Sequence, residues 1–349
     1  MMRAMQRLRR IHAVVAPALL AAAVLPGCGG PPSPPPAPLE PEREHPYVLV
    51  LGTAQDGGLP HLGCYAGNCE AARADPTRRR LVTSLLLCDP RDGRRWLFDC
   101  TPDIREQLDR AAGHPPTRAA EGPRPPLFDG VFLTHAHMGH YSGLLHFGRE
   151  SYSTREMPTY VTRRFAQFLT RNGPWKQLVE EKRLTLREIE DGKAVELAPD
   201  LQVVPFRVPH RDEFSDTVGF EIRGPRRRLA YLPDIDKWEA WDAEAETQGR
   251  VPAPARMIES LIERVDFALL DGCFFADGEI PGRSMKDIPH PAVSESIGRF
   301  AALRRTERSK VHFTHLNHTN PAADAQSDAR RAILNSGMRV LEEGRIFGL

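Results

Sequence analysis

The sequence has almost no excess of either charge. Its 47 lysines and arginines are balanced by 46 aspartates and glutamates, which leaves a formal net charge of +1 over 349 residues. Proteins that bind polyanions usually present an excess of basic side chains, so we expect no nucleic-acid partner. Cysteine is scarce too: six residues in a chain of this length are too few for a fold held together by disulfides.

The first 28 residues predict an export signal. Four arginines among the first ten residues precede an apolar stretch from Val14 to Leu25, which is too short to span a bilayer as a mature helix. The stretch ends in Leu25-Pro26-Gly27-Cys28 and resembles a bacterial lipoprotein signal, in which Cys28 is acylated. An ordinary secretory signal and a short uncleaved anchor are the alternatives. We expect an exported lipoprotein that is anchored to a membrane through Cys28 and faces the periplasm.

Residues 29–46 form a predicted linker. Proline dominates this segment, and a proline-rich chain stays extended and buries little surface. The segment is therefore expected to hold a folded domain, residues 47–349, away from a surface.

The domain alternates short apolar runs with amphipathic stretches. The predicted strands are Tyr47–Leu51, Val82–Cys88, Trp96–Cys100, Gly130–Thr134, Leu201–Val208, Thr217–Ile222, Arg228–Leu232, Phe267–Asp271 and Val311–Thr314. The predicted helices are Pro102–Ala112, Thr162–Arg171, Arg256–Arg264, Ser294–Leu303 and Asp324–Asn335. This order favours two packed sheets flanked by helices over a doubly wound parallel sheet.

Three histidines follow the strand Gly130–Thr134 within six residues. His135 and His137 are two positions apart, so in an extended loop their imidazoles point the same way and can bind one ion. His140 follows at the next bend. Imidazole suits both zinc and iron, and three such ligands leave a position open for substrate or water.

This segment resembles the H-x-H-x-D-H motif of the metallo-β-lactamase superfamily, and other residues follow in the order that this superfamily uses. The resemblance implies an α/β (α+β) domain folded as a four-layer αβ/βα sandwich. The implied ligands are His135, His137 and His210 for a first ion, and His140, Asp234 and His315 for a second. Asp99 would orient a ligand imidazole. Asp234 would also orient the nucleophile or accept its proton, and His318 is a candidate catalytic or substrate-contacting residue.

Within the superfamily the chain resembles the PQQ-biosynthesis protein B family. The shared segments include Leu51-Gly-Thr-Ala-Gln-Asp-Gly-Gly58 and the Pro-His-Arg-Asp around His210. Proteins of this kind hold a structural zinc in a cysteine-rich knuckle, which implies a site made of Cys64, Cys69 and His290, with His61 as a further donor. A Cys64–Cys69 disulfide is the alternative in an oxidising compartment.

Two departures from the family patterns alter the expected chemistry. Gly139 stands where the superfamily has the aspartate of the second metal site, so we expect one tightly held ion and a weaker or absent second. His318 is a candidate replacement ligand. The complete H-x-H pattern, which members of the PQQ-biosynthesis protein B family commonly lack, favours hydrolysis.

The sequence thus predicts a metal-dependent hydrolase with one or two Zn²⁺ ions, iron being the alternative metal. A metal-activated water would attack an ester or phosphodiester bond of a small-molecule substrate. An iron-dependent oxidative enzyme and a non-catalytic metal-binding lipoprotein are the rival interpretations.

Overall fold

The structure, a computed structural model, describes residues 44–112, 114, 127–285 and 288–349. The predicted signal with Cys28 and the linker up to residue 43 lie outside the described residues. No helix within the described ranges is both long and apolar enough to cross a membrane.

One seven-stranded sheet contains the first and the last strand of the described chain. Its strands are β1 (Tyr47–Gly52), β2 (Ser84–Asp89), β3 (Arg94–Phe98), β4 (Gly130–Phe132), β5 (Met157–Thr162), β6 (Leu184–Ile189) and β14 (Ile346–Gly348), in the order β14-β1-β2-β3-β4-β5-β6. The pairs from β14 to β3 are antiparallel, and those from β3 to β6 are parallel. We call this the N-terminal sheet.

The second seven-stranded sheet has a similar mixed pattern. Its strands are β7 (Val195–Ala198), β8 (Leu201–Val208), β9 (Thr217–Arg223), β10 (Arg228–Leu232), β11 (Phe267–Asp271), β12 (Val311–Thr314) and β13 (Arg339–Val340), in the order β13-β12-β11-β10-β9-β8-β7. The pairs from β7 to β10 are antiparallel, and those from β10 to β13 are parallel. We call this the C-terminal sheet.

Helices cover the outer face of each sheet. The described helices are α1 (Asn68–Ala74), α2 (Ile104–Ala111), α3 (Met138–Tyr141), α4 (Arg163–Arg171), α5 (Trp175–Glu180), α6 (Trp238–Thr247), α7 (Met257–Arg264), α8 (Val293–Phe300), α9 (Arg305–Arg308) and α10 (Asp328–Asn335). Buried side chains form one apolar layer between the two sheets and a further layer between each sheet and its helices. This arrangement confirms the predicted four-layer αβ/βα sandwich.

Local sequence explains many of the element boundaries. All six residues of β2 are buried, as expected for a strand with a packed layer on both faces. The helix α4 begins where the Thr162 hydroxyl accepts a hydrogen bond from the Phe165 N–H at 3.3 Å, and α10 begins where Ser327 accepts one from the Arg330 N–H at 3.0 Å.

The sequence patterns missed the strands at the sheet edges. β6 and β14 end the N-terminal sheet, and β7 and β13 end the C-terminal sheet. These edge strands are partly solvated, so they lack the continuous apolar pattern by which buried strands are recognised. β5, next to β6, was missed as well.

Tryptophans of helices α5 and α6 belong to the core. Trp175 packs in the layer between the N-terminal sheet and its helices, and Trp238 and Trp241 pack in the corresponding layer of the C-terminal sheet.

Candidate metal centre

The predicted ligands lie where strands of both sheets end. His135 follows β4, His210 follows β8, Asp234 follows β10 and His315 directly follows β12. All four residues are buried. The sandwich therefore brings together side chains that are up to 180 positions apart in sequence.

His135, His137 and His210 form the first group of donors, with ligand atoms within 4.8 Å of one another. Nε2 of His135 lies 2.9 Å from Nδ1 of His137. The His210 ring centroid is 5.3 Å from that of His135 and 5.1 Å from that of His137. These are the three residues predicted to hold the first ion.

Asp234 lies between this group and a second one. Its Oδ2 is 3.1 Å from Nε2 of His140 and 3.3 Å from Nε2 of His315, whereas its Oδ1 is 3.6 Å from Nε2 of His210. A carboxylate in this position can bridge two ions. The structure thus places all six predicted ligands in one centre.

Asp99 lies on the side of these imidazoles away from the centre, where the superfamily resemblance places an orienting acid. Its Oδ2 lies 2.8 Å from Nδ1 of His140 and accepts a hydrogen bond from the Tyr231 hydroxyl at 3.0 Å. Its Oδ1 accepts from the Thr134 hydroxyl at 3.0 Å, which in turn lies 3.0 Å from Nδ1 of His135. Nδ1 of both histidines therefore has an acceptor, which turns Nε2 of each towards the centre.

The other two ligands of the first group have equivalent partners. Nε2 of His137 lies 3.0 Å from Oε2 of Glu213, and Nδ1 of His210 lies 3.1 Å from Oδ1 of Asp236. In His137 and His210, one ring nitrogen therefore faces an acid, and the other ring nitrogen is turned towards the other donors of the centre.

Several donor atoms that face the centre have no hydrogen-bond partner in the described part of the chain, as expected of atoms that bind a cation. Nε2 of His140, His210 and His315 and Oδ2 of Asp234 are buried and have no hydrogen-bond partner among the described residues. Buried polar atoms are normally paired, and lone pairs as close as those of His135 and His137 repel one another unless a positive ion lies between them. A set of imidazoles and carboxylates suits zinc and also iron.

The charge states of Asp234 and His135 agree with a bound cation. Burial would raise the pKa of Asp234, but His315, His140 and His135 outweigh it and hold the pKa well below the usual value, so the carboxylate is ionised. Burial, together with the neighbouring His140, lowers the pKa of His135 well below its usual value. His135 is therefore in the neutral form that binds metals.

Two residues of the centre have strained backbones. Asp99 has a φ of 61° and His315 a φ of 60°, in the left-handed region that non-glycine residues adopt only at a cost. Both directly follow a strand, β3 and β12 respectively. In this conformation each turns away from its strand and contributes its side chain to the centre.

Asp56 is a member of the centre that the sequence did not predict. Its Oδ1 lies 3.3 Å from Nε2 of His140 and 3.7 Å from Nε2 of His315. The signal that was available is an acid in a loop directly after a buried strand, at Gln55-Asp56-Gly57-Gly58.

His290 also belongs to this centre, which corrects its assignment to the cysteine knuckle. Nδ1 of His290 lies 2.7 Å from Oδ2 of the buried Asp271, and its ring centroid is 5.3 Å from that of His210. Burial lowers the pKa of His290, but Asp271 outweighs this effect and raises it above the usual value. The strand order explains why His290 lies here. Its partner Asp271 ends β11, which lies between the strands that precede Asp234 and His315.

His318 takes the place that was predicted for His290. Its ligand atom lies within 4.8 Å of those of Cys64 and Cys69, and its ring centroid is 4.4 Å from that of His61. Asn68 fixes this position, since its side-chain amide donates to the His318 carbonyl at 3.1 Å. Two thiols with one or two imidazoles suit a structural zinc, and the disulfide remains the alternative. His318 lies in this knuckle, not among the ligands around Asp234.

Comparison with known proteins identifies the family. Residues 94–316 match the family model of the beta-lactamase superfamily domain. Coenzyme PQQ synthesis protein B of Methylobacterium nodulans is 30% identical over 324 residues, which cover 86% of this chain and 99% of that protein.

Two solved structures share the fold. Zn²⁺-bound PqqB from Methylobacterium extorquens aligns with a TM-score of 0.70 at 23% identity, over 87% of this chain and 100% of the other. A diphosphatase from the PhnP family aligns with a TM-score of 0.58 at 20% identity, over 87% of this chain and 97% of the other.

The chain therefore belongs to the metallo-β-lactamase superfamily. Within that superfamily it is similar, over most of its length, to coenzyme PQQ synthesis protein B.

Proposed function

We propose that this protein is a metal-dependent hydrolase that cleaves an ester or phosphodiester bond of a small molecule. The observation that carries the proposal is the cluster of buried Nε2 atoms of His140, His210 and His315 around Asp234, which have no hydrogen-bond partner in the described part of the chain. In His140 and His210 an acid on Nδ1 holds the imidazole in this orientation. Such preorganised donors are typical of a metal centre, and zinc is the metal we propose.

The residues of the centre would have distinct roles in metal binding and catalysis. His135, His137 and His210 would hold one ion, and Asp234 would bridge towards His140 and His315. A divalent ion in such a site lowers the pKa of a bound water to about 7 and polarises the oxygen of the bond to be cleaved. Asp234, ionised and close to both groups, would orient the nucleophile.

His290 would carry the proton to the leaving group. Asp271 binds its Nδ1, and the raised pKa of His290 favours the protonated imidazole that a general acid requires. Its Nδ1 lies 4.0 Å from Oδ1 of Asp234, so the dyad of His290 and Asp271 lies at the edge of the centre. In this proposal it takes the catalytic role that the sequence assigned to His318.

Elemental analysis combined with a substrate panel tests the proposal. The purified protein should contain zinc and turn over at least one member of a panel of phosphodiesters, lactones and thioesters. His135→Ala should lose metal and activity together. His290→Gln should keep its metal and lose roughly 10²–10⁴-fold in kcat. His146→Gln, outside the centre, is the control and should behave as wild type.

Metal-loaded protein that turns over no substrate would contradict the hydrolase proposal and favour a non-catalytic metal-binding protein. Unchanged metal content in His135→Ala would contradict the assignment of that ligand.

The likeness to coenzyme PQQ synthesis protein B favours a second candidate, an iron-dependent oxidative enzyme. The nitrogen and oxygen donors of the centre accept iron as well as zinc. Iron in the isolated protein, together with oxygen consumption that depends on an added tyrosine-derived substrate, would support this candidate over the hydrolase.

A further inference from the structure

Asp56 occupies the space that a side chain at position 139 would need. Gly139 lies in helix α3, between His137 and His140, and its backbone is not in the left-handed region. A Cβ at this position would lie 2.6 Å from Cα and 2.7 Å from Cγ of Asp56, closer than such atoms approach in proteins. Glycine is therefore required here because Asp56 is present, and not because of the backbone conformation.

Pairing with both sheets fixes the loop that carries Asp56. Ala54 forms bridges with Val82 and with Leu316, and the Gln55 N–H donates to the Leu316 carbonyl at 3.0 Å. The Gly58 N–H donates to the Gln55 carbonyl at 2.7 Å and closes a turn that contains Asp56. Because Leu316 directly follows His315, this pairing places Asp56 beside that histidine.

The distances match a four-coordinate ion. Oδ1 of Asp56 lies 3.3 and 3.7 Å from Nε2 of His140 and His315, and Oδ2 of Asp234 lies 3.1 and 3.3 Å from the same two nitrogens. Ligands of a tetrahedral zinc with bonds of about 2.0–2.1 Å are about 3.4 Å apart. The observed separations lie on both sides of this value.

The four candidate ligand atoms have no hydrogen-bond partner among the described residues. Oδ1 of Asp56, Oδ2 of Asp234 and Nε2 of His140 and His315 are buried and make no hydrogen bond within the described part of the chain. The Asp56 side chain as a whole is 38% exposed, so the buried oxygen is the one turned towards the histidines.

We propose that Asp56 is the carboxylate ligand of the second ion and replaces the acid that position 139 lacks. The second site then has a full set of four donors, Asp56, His140, Asp234 and His315, and the protein holds two ions instead of one tight and one weak. This inference rests on the proposed metal centre and is independent of whether the protein hydrolyses a substrate.

Metal counting tests the inference. Full-length protein is stripped with a chelator and titrated with Zn²⁺ against a chromophoric competitor, and the ions that remain after gel filtration are counted. Every protein in this series, including the reference called wild type, carries Cys64→Ser, so that an ion held by the cysteine knuckle does not add to the count. Wild type should bind two ions per chain. Asp56→Asn, which keeps the size of the side chain, should bind one ion tightly and the second roughly 100-fold more weakly or worse, since even an outer partner of a ligand contributes 10–100-fold to affinity.

Glu279→Gln is the matched control for the loss of a negative charge. Glu279 is half-buried and accepts a hydrogen bond from the Phe275 N–H at 2.6 Å, which a glutamine can still accept. This variant should bind two ions as wild type does. Asp56→Ala, assayed in the same way, replaces Asp56→Asn if the latter does not fold.

Two results would overturn the inference. One is a wild-type protein that binds a single ion at saturating Zn²⁺. The other is a folded Asp56 variant that binds the second ion with unchanged affinity, which would make Asp56 only an ion-pair partner of His140. Two ions in a protein without turnover would instead remove the hydrolase proposal and leave this inference standing.

Discussion

Asp99 is the residue through which several ligands are oriented at once. It is fully buried and accepts hydrogen bonds from the Thr134 N–H at 2.9 Å, from the Thr134 hydroxyl and from Tyr231, and it binds Nδ1 of His140. An asparagine of the same shape has only one acceptor oxygen and two donor hydrogens. At least one of these partners would therefore face a donor and lose its bond.

We predict that Asp99→Asn lowers the Zn²⁺ affinity of the site containing His140 by about 10–100-fold. The free energy of unfolding should fall by roughly 1–3 kcal/mol, since a buried donor is left unpaired. Competition titration and urea denaturation of the metal-free protein measure the two effects. The exposed Asp92→Asn is the control, and an Asp99→Asn affinity equal to that of wild type would show that Asp99 does not position His140.

Aromatic packing between the two sheets stabilises the end of β3, which carries Asp99. Phe98 and Phe132 stack with ring centroids 5.0 Å apart, and Phe220 of the facing sheet meets them edge-on at 5.5 and 5.6 Å. Phe98 directly precedes Asp99, so the strand end that carries this acid is held by the core.

The segment between β13 and β14 joins the two sheets and contains a buried acid, Glu343. Oε1 of Glu343 accepts a hydrogen bond from the Leu81 N–H at 2.6 Å, and the other oxygen pairs with Arg110. The side chain is only 13% exposed. Burial, the largest effect, raises the pKa of Glu343 from its usual 4.5 to about 7.

This raised pKa predicts a pH dependence of folding stability. The folded state binds the proton of Glu343 more tightly than the unfolded chain does, so its contribution is full below pH 4.5 and is lost as the pH rises to about 7. The loss amounts to about 3 kcal/mol. Glu343→Gln cannot ionise and should lose less stability between pH 5 and pH 8 than wild type.

Urea denaturation at both pH values measures the difference. The adjacent Glu342→Gln, whose side chain is 48% exposed, is the control and should keep the pH dependence of wild type. An identical pH dependence in Glu343→Gln and wild type would show that Glu343 stays ionised in the fold.

At the level of the entire chain, we propose that the sandwich is exported and tethered by a lipid on Cys28. The proposal depends on the apolar stretch that ends in Leu25-Pro26-Gly27-Cys28. Full-length protein should therefore sediment with membranes, and mass spectrometry should find an acylated Cys28 at the mature N-terminus.

Cys28→Ser should abolish acylation and remove most of the protein from the membrane fraction. Cys64→Ser, in the folded domain, should stay membrane-bound. Undiminished sedimentation of Cys28→Ser with membranes would favour the uncleaved anchor, and a wild-type protein that is soluble after processing would favour the ordinary secretory signal.

The interior strands and the histidine pair were readable from sequence because both are local patterns. Leu201–Val208, Arg228–Leu232, Phe267–Asp271 and Val311–Thr314 have the observed boundaries, since a strand packed on both faces is a continuous apolar run. His135 and His137 converge because residues two apart in an extended segment point the same way. His210, Asp234 and His315 followed from the family resemblance, which supplies long-range information that no local pattern contains.

Other parts of the centre depend on which loops meet at the ends of the strands, and only the tertiary structure decides this. Asp56 reaches His140 because its loop pairs with Leu316, some 260 positions away. His290 lies by Asp271 and His318 by the cysteines, because β11 lies between β10 and β12 and because Asn68 binds the chain after β12. Residue types and spacing fix the chemistry that a side chain can perform, but the strand order sets which side chains share a site.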